Sequence, residues 1–421
     1  MRIAILASGS RGDVQPYIAL GQGLQQSGHQ VRFATHLDFS DLVRGAGLEF
    51  WPVEGNVANI AQSPEMRARL QGGNFISIMS LMAKEAQRGA ISLAEGGLAA
   101  AQDSDLIIGG LGGAYTGLAL AEKFNIPLVQ AYYFPFTPTS AFPSVMLPGN
   151  PPGLAGAANR LSHYLTRQVM WQSFRKADRI ARREVLDLPP APFFGPHHRA
   201  RFNEYPVLYA FSPHVIPPPE DWGPSAQITG YWFLEEAEGW TPAPELAQFI
   251  QAGDPPVYIG FGSMANRDPE ETASLVLDAL EETGQRAVLL TGWGGMSARN
   301  LPESVLLIDA SPHSWLFPRM AAVIHHGGAG TTAAGLRAGV PNVVVPYFGD
   351  QPFWGKRIAD LGVGPTPIPR KDLTAAALAE AIQCALTNAK MRESASQLGE
   401  AIRAEDGVGK AVAIINDSIG G

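Results

Sequence analysis

The chain has 421 residues, of which 46% are hydrophobic and only 17% charged, with 46 glycines and 34 prolines. That is enough apolar material for two or more cored domains joined by many tight turns. The formal charge of -8, with no basic patch or arm, excludes nucleic acid as a partner. The single cysteine, Cys384, excludes an internal disulfide and reads as a core residue.

Ile3–Ala7 is an apolar run broken at once by Ser8–Asp13. It is too short for a signal peptide and is expected to be a first strand. No run of about 20 apolar residues is present, so no transmembrane helix is expected and the cytoplasm is the expected location. Gln15–Ser27 predicts a helix ending near Gly28, and Val31–Thr35 a second strand. Leu106–Gly109 and Leu128–Ala131 are further strands, with a helix over Ala114–Phe124 between them. Strands alternating with helices predict a parallel sheet covered on both faces. Phe75–Met82 is strongly apolar within a helical stretch. Residues 134–152 read as a long loop leading into helix around Leu161–Asp187.

Ile216-Pro217-Pro218-Pro219 stiffens the chain as a linker does. A second strand–helix series follows: Val257–Gly260, a helix over Glu270–Glu282, then Ala287–Leu290, Val305–Ile308, Ala322–Ile324 and Val343–Val345. Residues 389–419 read as one or two helices. The expected class is α/β, with two Rossmann-like doubly wound domains facing across a cleft. The expected divisions are 1–217, a linker 218–236, 237–400, and a terminal helix in 401–421 crossing back to the first domain. In such sheets ligands bind beyond the carboxyl ends of the strands.

Four motifs fall at strand ends. Gly9-Ser10-Arg11-Gly12-Asp13 follows the first strand. Asp13 reads either as a helix cap or as a general base taking the proton of an incoming hydroxyl. Gly260-Phe261-Gly262-Ser263 reads as a turn or as a phosphate contact through Ser263. Thr291-Gly292-Trp293-Gly294 offers Trp293 as core or as a flat face for a base. Asp309–His313 offers Ser311 and His313, either as loop and cap residues or as contacts to a base edge. The most informative stretch is His325-His326-Gly327-Gly328-Ala329-Gly330-Thr331-Thr332. It is a glycine-rich strand-to-helix turn whose exposed N–H groups and helix dipole suit a phosphate. Asp350-Gln351 nearby could hold a polyhydroxylated ring. Phosphate beside sugar points to a nucleotide-sugar donor. Asp103-Ser104-Asp105 precedes a strand and reads as a turn, and no metal cluster is found.

These residues resemble inverting glycosyltransferases of the GT-B fold (family 1), in the branch with UDP-glucose sterol glucosyltransferases and bacterial antibiotic glycosyltransferases. The resemblance covers nearly the whole chain. It is carried by Gly9–Gly23, Pro312–Leu316 and His325–Gly364, the first being especially like the sterol enzymes. It implies that the second domain holds a UDP-glucose donor. His325 would meet the diphosphate, with Ser10, Gly12, Gly327, Gly330, Thr331 and Thr332 contributing to donor binding. Asp350 and Gln351 would hold the glucose hydroxyls. Asp13 takes the base position, where plant relatives carry histidine. The plant tryptophan that stacks uracil and the glutamate that binds ribose are Ala310 and Ala333 here, so Trp293 and Ser311 are the candidates for those contacts.

The implied reaction is transfer of glucose to the 3β-hydroxyl of a sterol or similar flat apolar alcohol. It inverts the anomeric centre and requires neither metal nor cofactor. The acceptor pocket is expected to use Met79, Met82, Phe134, Phe136, Phe142 and Met146, whose alternative reading is core packing. Transient contact with a membrane surface is expected because sterols reside there, although no polybasic anchor is evident. The alternatives are a macrolide, polyketide or flavonoid acceptor, a nucleotide-sugar epimerase, and a silent sugar-nucleotide sensor.

Overall fold

In the computed structural model the described residues are 1–55, 75–147, 155–198, 206–236, 239–261, 269–290 and 301–419. They fall into two units. One runs up to Glu235 and resumes at Glu405; the other is Glu236–Ala404.

The first unit contains β1 (Arg2–Leu6), α1 (Arg11–Gln26), β2 (Gln30–His36), α2 (Ser40–Gly45) and β3 (Glu49–Val53). It continues with α3 (Phe75–Arg88), α4 (Ala90–Ala101), β4 (Leu106–Gly109), α5 (Ala114–Phe124) and β5 (Leu128–Tyr132). Last come the long α6 (Gly156–Glu184) and the short strands β6 (Val207–Tyr209) and β7 (Ala226–Ile228). Among the described residues the sheet has the order β3-β2-β1-β4-β5-β6-β7, and every pairing is parallel. Side chains alternate across a strand, so both faces of β1 are buried. Ile3 and Ile5 pack under α1, while Ala4 and Leu6 pack with Leu120 of α5 and Ala100 of α4. β7 lies within residues 218–236, which read from sequence as linker.

The second unit contains α7 (Pro244–Gln251), β8 (Val257–Gly260), α8 (Pro269–Thr283), β9 (Ala287–Leu290), β10 (Val305–Ile308) and the one-turn α9 (His313–Leu316). β11 (Ala322–His325), α10 (Ala329–Ala338), β12 (Asn342–Val344), α11 (Gln351–Asp360), α12 (Ala375–Thr387) and α13 (Ala389–Arg403) follow. Its sheet is also parallel, in the order β10-β9-β8-β11-β12. Val257 and Ile259 face one core, and Tyr258 faces the other with Phe317 and Leu316. Cys384 is half-buried at the edge of the first of these cores rather than fully enclosed.

The final helix, α14 (Gly407–Ile419), belongs to the first unit and packs on α1. Ala411, Val412 and Ile415 are buried there. His29 Nε2 lies 2.7 Å from Asn416 Oδ1, and Lys410 Nζ donates to the Ile228 carbonyl at 2.7 Å. No described helix is long and apolar enough to cross a membrane.

In each sheet the chain builds outward from the first strand to one edge and then continues on that strand's other side. The reversal falls between β1 and β4 in the first unit and between β8 and β11 in the second. The crevice beyond the carboxyl ends at such a point is where doubly wound sheets bind ligands.

Candidate active site

In the first unit a small recess opens at the β1/β4 reversal. Ser8, Asp13, Tyr17, Gly110, Gly112 and Tyr133 are among its lining residues. Asp13 lies in the first turn of α1, whose N-cap is Ser10. There the helix dipole favours a carboxylate. Ser10 N–H and Ser10 Oγ both donate to Asp13 Oδ2, at 2.6 and 2.7 Å. The Tyr133 hydroxyl donates to Oδ1. Gly9 has φ 139°, and a Cβ there would come within 2.4 Å of Asp13 Oδ2. Only glycine lets the chain pass so close to the carboxylate.

The other polar groups at the recess are committed elsewhere. Tyr17 donates to the Ala131 carbonyl at 2.5 Å. Burial, with smaller contributions from Tyr132 and Asp13, raises its pKa well above the usual tyrosine value. It therefore remains a neutral donor. Ser8 Oγ lies 2.9 Å from His36 Nε2. Burial lowers the pKa of His36 against the opposing pull of Asp38 and the Gly55 backbone, and its ring stands behind Ser8 rather than among the lining residues. Asp13 thus carries the recess's available proton acceptor. Sequence reasoning missed Tyr133; its place just beyond β5, the neighbour of β4, was the signal that could have found it.

In the second unit, His325 ends β11 and is fully buried. Its Nε2 is 3.0 Å from Asn342 Oδ1, and its Nδ1 accepts from the Gly327 N–H at 3.0 Å. Asn342 Nδ2 donates to the Val340 carbonyl at 2.8 Å, which fixes the amide so that Oδ1 faces the ring. Nε2 is therefore the protonated nitrogen. Both ring nitrogens are thus engaged within the unit, and the imidazole props the turn. Burial, with His326 as a smaller cause in the same direction, pulls its pKa down to about 3.

What the turn does present is backbone. Gly327 has φ 85°, and a Cβ there would fall 2.7 Å from Val344 Cγ1. Gly328 is the N-cap of α10 and has no side chain to cover the helix end. The first N–H groups of α10, at Ala329, Gly330 and Thr331, have no intrahelical acceptor, which is the arrangement that binds anions. Three buried side-chain atoms near these strand ends have no hydrogen-bond partner: Ser311 Oγ, His326 Nδ1 and Thr332 Oγ1. Buried polar atoms left unpaired are costly and call for an explanation; a bound ligand supplies one. Burial holds His326 neutral, with a pKa near 4.

The remaining expected donor contacts divide. Asp350 is the N-cap of α11, and its Oδ2 accepts from Trp354 Nε1 at 2.8 Å. Gln351 Oε1 accepts from the N–H groups of Tyr347 and Phe348, at 2.8 and 3.2 Å. Its carbonyl therefore shapes the loop, and only its amide nitrogen is left to offer a sugar, a narrower role than expected. The His313 ring stacks on Phe317 at 4.2 Å and 15°. Ser263 and Trp293 lie outside the described residues.

The residues of the expected acceptor pocket divide between the interior and the surface. Met79, Phe134 and Phe136 are buried in the interior. Phe136 lies 4.9 Å from Tyr132, and the Arg167 guanidinium sits over its ring at 4.8 Å. Phe142 and Met146 are half-buried and Met82 is exposed on α3. Among the described residues no three His, Cys, Asp or Glu side chains converge as metal ligands would.

Similarity to known proteins follows the same pattern. The chain is 39% identical to sterol 3-beta-glucosyltransferase UGT80B1 of Arabidopsis thaliana, over 98% of this chain and 67% of that protein. It belongs to the sterol 3-beta-glucosyltransferase family. Sterol 3-beta-glucosyltransferase UGT80A2 of the same plant is also 39% identical, over 98% of this chain and 64% of its own length. The chain thus spans about two thirds of these family members. Residues 3–143 match the glycosyltransferase family 28 N-terminal domain, and residues 274–413 match the erythromycin biosynthesis protein CIII-like C-terminal domain. The fold is that of GT-B glycosyltransferases. The crystal structure of glycosyltransferase VinC in complex with dTDP aligns with a TM-score of 0.68 at 19% identity, covering the whole of both chains.

Proposed function

We propose that this family member transfers glucose from UDP-glucose to the 3β-hydroxyl of a sterol, forming a β-glucoside with inversion. The observation that carries the reading is the Asp13 carboxylate, held from Ser10 and Tyr133 at the rim of the β1/β4 recess. The family supports the sterol acceptor, since its members' names state that activity.

In this scheme the first unit supplies the base and the second holds the leaving group. Ser10 donates twice to Oδ2 and Tyr133 once to Oδ1, so Oδ1, the less fully hydrogen-bonded oxygen, is the atom that receives the acceptor's hydroxyl proton. As that proton leaves, the acceptor oxygen bonds to the anomeric carbon and the bond from that carbon to the diphosphate oxygen breaks. The electron pair departs with UDP. Its growing charge is met by the Ala329–Thr331 amides at the start of α10, dipoles already oriented before the reaction. Asp350, oriented by Trp354, holds glucose hydroxyls. Oriented dipoles in place of a cation make this a metal-independent scheme, with no cofactor beyond the donor.

Acceptor-dependent UDP release tests it. With UDP-glucose and cholesterol, release should require both. Conversion of UDP-glucose without acceptor would instead fit an epimerase, and binding of UDP-glucose without turnover on any acceptor would fit a sensor.

A further inference from the structure

The first half of α6 is inside out. Asn159, Ser162, His163 and Thr166 are buried, whereas Leu161, Tyr164, Leu165 and Val169 are 45–57% exposed. A water-facing helix of a globular protein shows the opposite arrangement. The helix cannot roll to correct this, because its polar face is tied down. Asn159 Nδ2 donates to the Ser140 carbonyl at 2.9 Å, His163 Nε2 lies 3.0 Å from the Phe142 carbonyl, and Ser162 Oγ accepts from Ser144 N–H at 2.8 Å.

Two further apolar groups border the same helix. Phe193 and Phe194 are 56% and 63% exposed. The Phe193 carbonyl accepts from Trp171 Nε1 and Gln172 Nε2, at 2.9 and 2.8 Å, and the Arg175 guanidinium lies 4.7 Å from its ring centroid. Beyond this apolar stretch the outward side of α6 turns basic, with Lys176 and Arg179 exposed. The exposed acid of the helix, Glu184, is paired with Arg183 at 3.0 Å.

We propose that this face of α6, with Phe193 and Phe194, docks on an anionic lipid surface. Leucine and aromatic side chains beside lysine and arginine are the composition of helices that lie in the membrane interface. Cation stems can lie along the acyl boundary while their charges reach lipid phosphates. A second copy of this chain fits less well, because the same face would bring no acidic residues to meet Lys176 and Arg179. In a chain of net charge -8 a local basic stretch is set apart from the remaining surface. Delivery of a bilayer-resident acceptor by this docking rests on the sterol reading above; the docking itself does not.

The test is co-sedimentation of the full chain with phosphatidylcholine vesicles, with and without phosphatidylserine, at low salt and at about 0.5 M salt, where exposed charges are screened. Wild type should bind the phosphatidylserine vesicles and lose much of that binding in high salt. Leu161→Gln with Leu165→Gln should weaken binding at least about a hundredfold, the order expected for withdrawing two buried side chains from lipid. Lys176→Gln with Arg179→Gln should remove the preference for phosphatidylserine. Both variants should keep the wild-type thermal midpoint and the wild-type rate on detergent-dispersed cholesterol. Absence of wild-type binding, or binding unaffected by the leucine substitutions, overturns the proposal. A dimer that those substitutions dissociate, with no change in lipid binding, overturns it in favour of a second copy. None of these readouts requires that glucose be transferred, so failure of the docking and failure of the proposed reaction are separable.

Discussion

The Tyr133 hydroxyl donates to Oδ1 of Asp13, while the two Ser10 donors occupy Oδ2. The carboxylate is thereby fixed from both sides at the edge of the recess. Tyr133 is a positioning residue in this arrangement. Tyr133→Phe should lower kcat about ten- to hundredfold, the rate equivalent of one charge-assisted hydrogen bond, and leave UDP affinity unchanged. Steady-state kinetics with UDP titration checks both. A parallel loss of UDP binding would place Tyr133 in the fold rather than at the base.

Trp354 is 1% exposed and orients Asp350 through its indole N–H. Trp354→Phe keeps most of the packing and deletes the hydrogen bond. It should reduce kcat/KM for UDP-glucose by about tenfold with little effect on the Kd of UDP, because the nucleotide does not call on Asp350. Calorimetric titration with UDP, alongside kinetics, separates the two quantities. Equal losses would mean that Asp350 only supports its loop.

The turn before α10 depends on a left-handed glycine. Gly327→Ala adds backbone strain of about 1–3 kcal/mol and a Cβ pressed against Val344. The expected result is a lower thermal midpoint and weaker UDP binding together, since the same backbone carries the amides. Unchanged UDP affinity would show that the diphosphate is held elsewhere.

His325 and His326 carry a pH signature. Burial holds their pKa values at about 3 and about 4, below the ordinary histidine value of about 6.5. The unfolded chain therefore binds these protons more readily than the folded one. The stability they contribute is complete above about pH 6.5 and falls away as pH drops toward their folded values. Thermal midpoints measured from pH 7 to pH 4 should decline, and His325→Gln should flatten that decline. An unchanged acid slope would contradict the burial of a neutral imidazole.

Much of this architecture could be read from the residues. β4, α5, β8, β9 and β10 lie where the sequence predicts them, and β4 and β8, buried along their whole length, show why: such strands leave a continuous hydrophobic signature. β6 and β7 have three residues each, too few to show a period, and β7 fell inside a supposed linker. The helix starts near Asp13 and after the glycine-rich turn were legible because capping and tight turns are local properties of a helix end. The fate of His325 was not, because it depends on Asn342, 17 residues away on the next strand. The same holds for Tyr133, 120 residues from Asp13, and for Phe134 and Phe136, whose aromatic character suits a pocket and a core equally well.

Glucosyl transfer through Asp13 is tested by mass-spectrometric detection of product from UDP-glucose and cholesterol, with wild type and Asp13→Asn compared at equal UDP occupancy. Wild type should yield a cholesteryl glucoside with a β-linkage, and the variant a rate about 10²–10⁴-fold lower, the usual cost of losing a general base. A variant that forms the glucoside at the wild-type rate, or a wild type that glucosylates only non-sterol alcohols, would contradict the proposed reaction.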